Sequence, residues 1–359
     1  MDTSNKITQN QYRSIVEGSM VALGILTLSR NVTKYAYQEA WISVIIGGIY
    51  PIIVILLATF IDKKMNGYSF EKINNNIYGK FLSKIILIAF SIEFIFYEAA
   101  IIAGFTNITK FLIVPFISHY IIIVVVFLIT LYTTINGLTL IGRLSEIVFY
   151  FLIVLVGMMI TLSVKGSIIN VKPFFTSFNN IFSAMPNSLY SYSGVELSYI
   201  VISFITNKTN PKKAGLQAVL FIIFTYASNV FAVIYSLGWE IASKNSYPIL
   251  YLASTIQVPL IENFRTILMI IWSFVVFRIL GCYLFGAGYC LSKAFNMKYN
   301  ISLVITLILA VVLSLFMIPE YNRVNIIDKF ISYAVGFGLL WGIITSIIIV
   351  IKKKHINKI

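Results

Sequence analysis

Charge is what this sequence has least of. Charged residues make up 11% of the 359 positions, whereas a soluble chain carries about 25%. That is too little charge to cover a folded surface in water. Histidine is as scarce: His119 and His355 are the only two, one in a connection and one in the tail. Two cysteines, Cys282 and Cys290, lie eight positions apart in one helical segment, about 12 Å along a helix and beyond disulfide reach. No Cys/His cluster exists, so a metal centre or redox chemistry is not expected, and no cofactor is. No nucleophile–base pair or paired catalytic carboxylates emerge, which argues against an enzyme. A leader is not evident either: the opening MDTSNKITQNQYR is polar, and the apolar segment after it lacks a small-residue cleavage site.

What fills the space is hydrophobic residues, 59% of the chain. They fall into runs of the length, about 20 residues, that crosses a bilayer core. The expectation is an all-α integral membrane protein of ten transmembrane helices. The spans read as roughly 12–31, 39–61, 82–111, 120–136, 144–164, 180–205, 216–241, 266–291, 301–318 and 330–351. Polar punctuation separates them, for instance Asp62, Lys63, Lys64, Asn66 and Gly67. Nothing suggests a separate soluble domain; residues 1–359 read as one transmembrane domain. The basic balance, 27 Lys and Arg against 13 Asp and Glu, suits membrane orientation better than nucleic acid. Seventeen of the basic residues fall on one side of the spans, nine on the other, and Arg278 lies inside the eighth. The positive-inside rule therefore puts both termini in the cytoplasm. Lys352, Lys353 and Lys354 read as a stop-transfer tail touching membrane lipid.

Two spans contain residues that do not suit a helix in lipid. The sixth carries SYSGVELSYI, with Ser191, Ser193, Gly194 and Glu196 near its middle. An unpartnered backbone group in hydrocarbon costs several kcal/mol, so irregular backbone survives only beside a cavity or inside protein. Glu196 must likewise face the interior. One such patch has an ordinary explanation as a packing notch. A second patch, Gly18, Ser19 and Gly24 in the first span, stands five spans earlier. Interrupted segments at matching places mark an inverted-repeat transporter fold with a midplane site. Half-helix N-termini there offer N–H groups to an anion, and the opposing carbonyls take a cation. An amino-acid zwitterion suits both.

The stretch from Leu23 to Arg30 resembles the Gly-Ile-Leu-x-Leu-Pro-Arg signature of bacterial spore germination permeases, with Ser29 where that family commonly has proline. Tyr192-Ser193-Gly194-Val195-Glu196 resembles the same family's Tyr-x-Gly-x-Glu stretch. Length, span count and the Lys172-Pro173-Phe174-Phe175 approach to the sixth span also fit. The resemblance implies membership of the amino acid–polyamine–organocation superfamily and a LeuT-type 5+5 inverted repeat with broken helices 1 and 6, the repeats covering about 12–164 and 180–351. It also implies the B subunit of a nutrient germinant receptor in the spore inner membrane. Such a subunit binds a germinant, usually an amino acid, and signals through an A-type membrane subunit and a C-type lipoprotein. The alternative is a cation- or proton-coupled amino-acid permease in which Glu196 or Glu98 cycles a proton.

The expected pocket is formed by Val21, Ala22, Leu23, Gly24 and Ile25 of the first break, and by Tyr192, Ser193, Gly194, Val195, Glu196 and Leu197 of the sixth. Tyr97 and Ile101 of the third span and Phe277 of the eighth would close it. Tyr97, Ile101 and Gly104 share a helix face, though Tyr97 has an ordinary packing reading too. Glu93 and Glu98 stand about 140° apart around the helix, so they do not read as one site. Arg278 needs a carboxylate or a wet cavity; Glu93, Glu98 and Glu196 are the candidates, and the sequence does not choose. Gly338 and Gly342 read as helix packing. Gly281, Gly286 and Gly288 lack the preceding strand that a phosphate loop requires. The lean toward a small neutral ligand rests on how few charged groups line the pocket.

Overall fold

The computed structural model describes residues 5–163, 166–255 and 264–356. Val164, the expected end of the fifth span, and Lys165 and Lys358 of the charge count lie outside the described residues. The first span is two helices, α1 (Gln9–Gly18) and α2 (Gly24–Ala36). The second is α3 (Ala40–Gly47) running into α4 (Ile49–Lys64). The third to fifth are α5 (Phe70–Leu112), α6 (His119–Ile135) and α7 (Leu138–Leu162). The sixth is a chain of short pieces, α8 (Phe178–Ala184), α9 (Leu189–Tyr192) and α10 (Ser198–Val201), joined by tighter 3-10 turns at Met185–Ser188 and Val195–Leu197. The seventh is α11 (Pro211–Leu237), followed by two short helices, α12 (Trp239–Lys244) and α13 (Pro248–Thr255). The last three spans are α14 (Phe264–Phe295), α15 (Tyr299–Met317) and α16 (Glu320–Ile356).

Local sequence sets many of these ends. Thr8 and Gln11 form a reciprocal capping box at the start of α1. Ser69 caps α5 and Ser118 caps α6 through their hydroxyls. Asn210 followed by Pro211 starts α11, and Gly238, at φ +78°, stops it. Gly79, at φ +79°, interrupts α5 near its start, so residues 70–78 turn away from the long membrane portion.

Among the described residues, seven segments are long and apolar enough to cross a membrane, and α6 and the fragmented spans complete the ten. Apolar side chains occupy both the interior and the outside of the bundle. Phe81, Phe111 and Phe116 are 77–83% exposed, which suits a lipid-facing wall and not one in water. With ten spans, both chain ends fall on one side, where Ile7 bridges Ile205 and Lys352 reaches the carbonyls of Asn76 and Ile77.

The central packing axis is α14 against α5, α7 and α15, with α1 lodged between α7 and α11. An aromatic cluster of Phe70, Phe90, Phe337 and Trp341 ties α5 to α16. Ser29 lies inside α2, and its hydroxyl donates to Asn229 Oδ1 of α11 at 3.0 Å. In place of a proline bend, this chain has a tie between two spans. The helices α12 and α13, unexpected from a stretch that reads as connection, pack on α2 and α11 at the end of the bundle away from the termini.

Candidate ligand-binding site

Helical winding is lost at residues 19–23 of the first span and 193–194 of the sixth, where it resumes through the 3-10 turn Val195–Leu197. The first break therefore sits two residues nearer the N-terminus than expected, and Gly24 and Ile25 already belong to α2. The two breaks face each other, because single side chains touch both. The Tyr283 hydroxyl of α14 lies 2.7 Å from the Ser19 carbonyl and 3.2 Å from the Ser193 carbonyl. The Tyr226 hydroxyl of α11 lies 2.7 Å from Met20 O and 2.9 Å from Ser191 O. Trp272 Nε1 of α14 donates to Ala22 O at 3.1 Å. Carbonyls expected to take a cation are thus already met by tyrosine and indole donors. Each tyrosine has one proton for two carbonyls, so some acceptor capacity remains.

Gly194 turns the sixth break at φ +94°, a conformation that favours glycine. A Cβ there would collide with the Ser19 carbonyl and lie 2.6 Å from Tyr283 Cε1. The Gly194 N–H donates to Glu196 Oε2 at 2.7 Å, and the Tyr50 hydroxyl of α4 donates to Glu196 Oε1. Glu196 thus holds a carboxylate beside the start of its own half-helix, although no side chain caps the Val195–Leu197 turn. No side chain caps the N-terminus of α2. Its first N–H groups are the ones left for an anion.

The expected lining residues divide. Val21, Leu23, Val195, Glu196 and Leu197 have no exposed surface, and Ala22 has 6%, so the breaks are closed to solvent from both sides. Leu23 packs toward α5 at Gly104, whose Cβ would stand 3.1 Å from Leu23 Cδ2; the face of α5 that carries Tyr97, Ile101 and Gly104 does look at the first break. The Tyr97 hydroxyl, however, is turned to Glu93 Oε1 at 3.1 Å, and its ring lies 5.6 Å from that of Tyr283. Tyr97 thus backs the residue that ties the breaks. Tyr192 points away: its hydroxyl donates to Val44 O at 2.9 Å. The Ser193 hydroxyl bonds back to Tyr190 O. Phe277 packs on Phe105 at 5.4 Å, about 140° around α14 from Trp272, and Trp272 and Tyr283 take the place expected of it.

The intramembrane charges are arranged differently from the sequence expectation. None of Glu93, Glu98 and Glu196 pairs with Arg278. Among charges, Glu17 of α1 acts most on Arg278, although the two are not within ion-pair distance. Arg278 is 3% exposed, and none of its three side-chain nitrogens has a hydrogen-bond partner among the described residues. Glu17 Oε1 is unpartnered as well. Gly18 makes the approach possible, since a Cβ there would lie 2.6 Å from Arg278 Nε. Glu98 is buried with both oxygens unpartnered. The signal for Glu17 is a carboxylate beside Gly18 within a span-length segment, 12–31. Gly338 of α16 serves Glu196 in the same way, its Cβ position 2.6 Å from Glu196 Cγ.

On the side away from the termini, α2, residues 186–190 and the start of α16 enclose a cavity of about 310 Å³. At its edge Arg323 is clamped by Glu320, with Nε to Oε2 at 2.9 Å and a second contact from Nη2 to Oε1. Tyr247, in the connection before α13, donates to Glu320 Oε1 at 3.3 Å. Burial first, and the Glu320 charge second, push the Tyr247 hydroxyl up to about 12, so it remains a donor at neutral pH.

The family model described as spore germination protein matches residues 6–324. Spore germination protein YndE of Bacillus subtilis (strain 168) is 25% identical over 356 residues, 98% of this chain and 97% of that one. Spore germination protein B2 of the same organism is 22% identical over 92% of each chain, and spore germination protein GerQB of Bacillus cereus 23% over 91% and 92%. Among solved structures, the crystal structure of MhsT in complex with L-phenylalanine superposes with a TM-score of 0.69 at 14% identity, covering 96% of this chain and 88% of that one. The fold is thus LeuT-type, with helices 1 and 6 broken, in an integral membrane protein. A match that takes in nearly the whole chain, supported by relatives aligned along their full length, places it in the spore germination permease family.

Proposed function

We propose that this chain is the B-type subunit of a nutrient germinant receptor. It holds a small neutral amino acid between the two breaks and passes that occupancy to an A-type membrane subunit and a C-type lipoprotein. Its setting is the spore inner membrane, with both termini cytoplasmic. Residues 1–359 act as one transmembrane domain, a binding protein and not an enzyme. Family membership and the names of the relatives support the setting. The observation that carries the ligand site is a pair of tyrosines: Tyr283 bridges the Ser19 and Ser193 carbonyls of the two breaks, and Tyr226 ties Met20 of the first break to Ser191 in the last turn of α9 before the sixth. An amino acid entering there meets the uncapped N-terminus of α2 with its carboxylate and the half-satisfied carbonyls with its ammonium. Its side chain meets Val21, Leu23, Val195 and Leu197, with Trp272 and Tyr97 behind. That MhsT was crystallised with L-phenylalanine accords with an amino acid in this fold.

A second reading has its own support. Glu98 and Glu196 are both fully buried, and no cation lies within ion-pair distance of either among the described residues. Such carboxyls suit a permease that moves a proton with its substrate. Reconstitution separates the two readings. The purified chain in proteoliposomes should be stabilised against heat by at least one neutral amino acid without accumulating it. Concentrative uptake of labelled amino acid by this chain alone would make it a permease.

A further inference from the structure

On the side of the termini lies a second cavity, of about 720 Å³, that the midplane site does not use. It is enclosed by the start of α5, the last turns of α14, the start of α15 and the end of the sixth span. One wall is aromatic. Phe285 and Tyr289 of α14 stack with ring centroids 6.2 Å apart, and Phe204 meets them edge-on at 5.8 and 5.7 Å. Tyr299 of α15 meets Phe285 edge-on at 6.2 Å. This packing fixes where the two tyrosine hydroxyls stand. Tyr289 is 6% exposed, and its hydroxyl lies beside Ser69 and the Glu71 backbone. Yet neither it nor the Tyr299 hydroxyl has a hydrogen-bond partner among the described residues. A buried O–H without an acceptor forfeits the bond it made to water, so an acceptor that reaches these groups is favoured.

The other wall is cationic. Lys72 and Lys293 line it with one carboxylate, Glu71, whose Oε2 lies 3.6 Å from Lys293 Nζ. Lys72 has no ion pair among the described residues; its ammonium stands 5.8 Å from the centroid of the Tyr68 ring. No side chain caps the N-terminus of α15, so the N–H groups of its first turn are open to an anion. Donors thus come from three helices. A carboxylate offers two oxygens in one plane, whereas a phosphate group offers oxygens in several directions, and lysines and helix N-termini both suit it. The volume falls in the range of sites that take a whole small organic ligand, about 300–1,000 Å³, which favours an esterified phosphate over the bare ion. Asn5 lines the cavity too. Two residues on, Ile7 donates to Phe204 O at 3.1 Å and accepts from Thr206 N at 2.9 Å. An occupant therefore abuts the strap that holds the approach to the first span against the end of the sixth.

We propose that this cavity binds the phosphate group of a phosphate ester, with Tyr289, Tyr299, Lys72 and Lys293 as donors beside the start of α15. A soluble phosphate ester and the headgroup of an anionic phospholipid share that chemistry. The site stands apart from the midplane reading, because none of these residues belongs to either break.

The test is direct binding to the full chain, delipidated in a phosphate-free maltoside detergent. Labelled glycerol 3-phosphate and labelled short-chain phosphatidylglycerol are the probes. At least one should bind saturably and be displaced by inorganic phosphate, while acetate and chloride at equal ionic strength should not displace it. Tighter binding of the lipid identifies a headgroup site, and the reverse order a site for a soluble ester. Tyr289→Phe, which removes only the hydroxyl, and Lys293→Gln should each raise the half-saturating concentration about tenfold or more, as for loss of a charge-assisted bond. Lys293→Arg should recover part of the second loss. Saturation by neither probe while the chain keeps its melting transition, displacement by acetate as strong as by phosphate, or binding unchanged in both variants would each overturn the site. The first two outcomes need no substitution, so a poorly folded variant does not block the answer. Tyr283→Phe should leave probe binding unchanged; its loss there would place the probe at the midplane and refute the site. If the probe binds as expected while no amino acid stabilises the chain, the midplane reading fails and this site is untouched.

Discussion

The sixth break is made by its own residues: Gly194 turns the backbone at φ +94°, and Glu196 folds back onto the Gly194 N–H at 2.7 Å. Residues 19–23 of the first span contain no positive φ, and their carbonyls are met from α11 and α14 by Tyr226, Tyr283 and Trp272. The sixth break has its own turn residue and carboxylate, with Tyr283 and Tyr50 added from other helices, whereas the first is shaped by its neighbours alone. Such a break changes when its neighbours move, and its helix N-terminus lacks a built-in carboxylate. The first span is therefore the part expected to answer to ligand, and the sixth the part that stays set.

The sharpest way to break this contrast is at Gly194. Gly194→Val forces a β-branched residue into the left-handed region and onto the Ser19 carbonyl; we expect a loss of about 4 kcal/mol, read as a collapse of the unfolding midpoint of the purified protein. Gly24→Ala in the first span keeps helical backbone but meets Ser191 Oγ at 2.6 Å, and should cost about 2 kcal/mol. Equal losses at the two glycines would remove the distinction.

Tyr283→Phe leaves two buried carbonyls short of a donor. The expected loss is about 2 kcal/mol, with weaker stabilisation by amino acids; a variant as responsive as the parent would mean the ties are mere packing. Arg278→Gln removes the cation that acts on buried Glu17 without a direct ion pair, so the expected change is about 1 kcal/mol, and Glu17→Gln on top of it should return part of that stability. Rescue by Glu93→Gln, Glu98→Gln or Glu196→Gln in place of Glu17→Gln would show the wrong partner has been assigned. The smallest effect is expected at Phe277. Phe277→Leu should cost about 1 kcal/mol in thermal melts and leave amino-acid binding within about twofold, because its ring packs on Phe105 and not on the breaks; a large binding defect would restore it to the pocket.

Much of this was legible in the sequence because a bilayer penalises the residues that matter. Gly, Ser and Glu stand out in an apolar run, so both breaks and the α5 face carrying Gly104 could be read from spacing. Direction around a helix was harder. Tyr192 lies inside the sixth-break motif, but a one-residue step turns a side chain by about 100°, and its hydroxyl ends on Val44. Phe277 was misplaced for the same reason, five positions from Trp272. The partner of Arg278 could not be read because pairing across helices depends on which helices touch, and Glu17, inside the first span at 12–31, lies five spans and more from Arg278 in the sequence. The helices α12 and α13 hid in a polar connection, although Gly238 and Pro248 mark their starts. The charges of the outer cavity looked like loop charges until α2 and α16 brought them together.

The most direct test is a structure of the full chain in nanodiscs with the neutral amino acid that stabilises it most. The account predicts the amino acid between residues 19–23 and 193–197, its carboxylate at the start of α2, with the first span shifted more than the sixth. A ligand bound elsewhere while Tyr283 and Tyr226 keep the breaks tied and filled would contradict it.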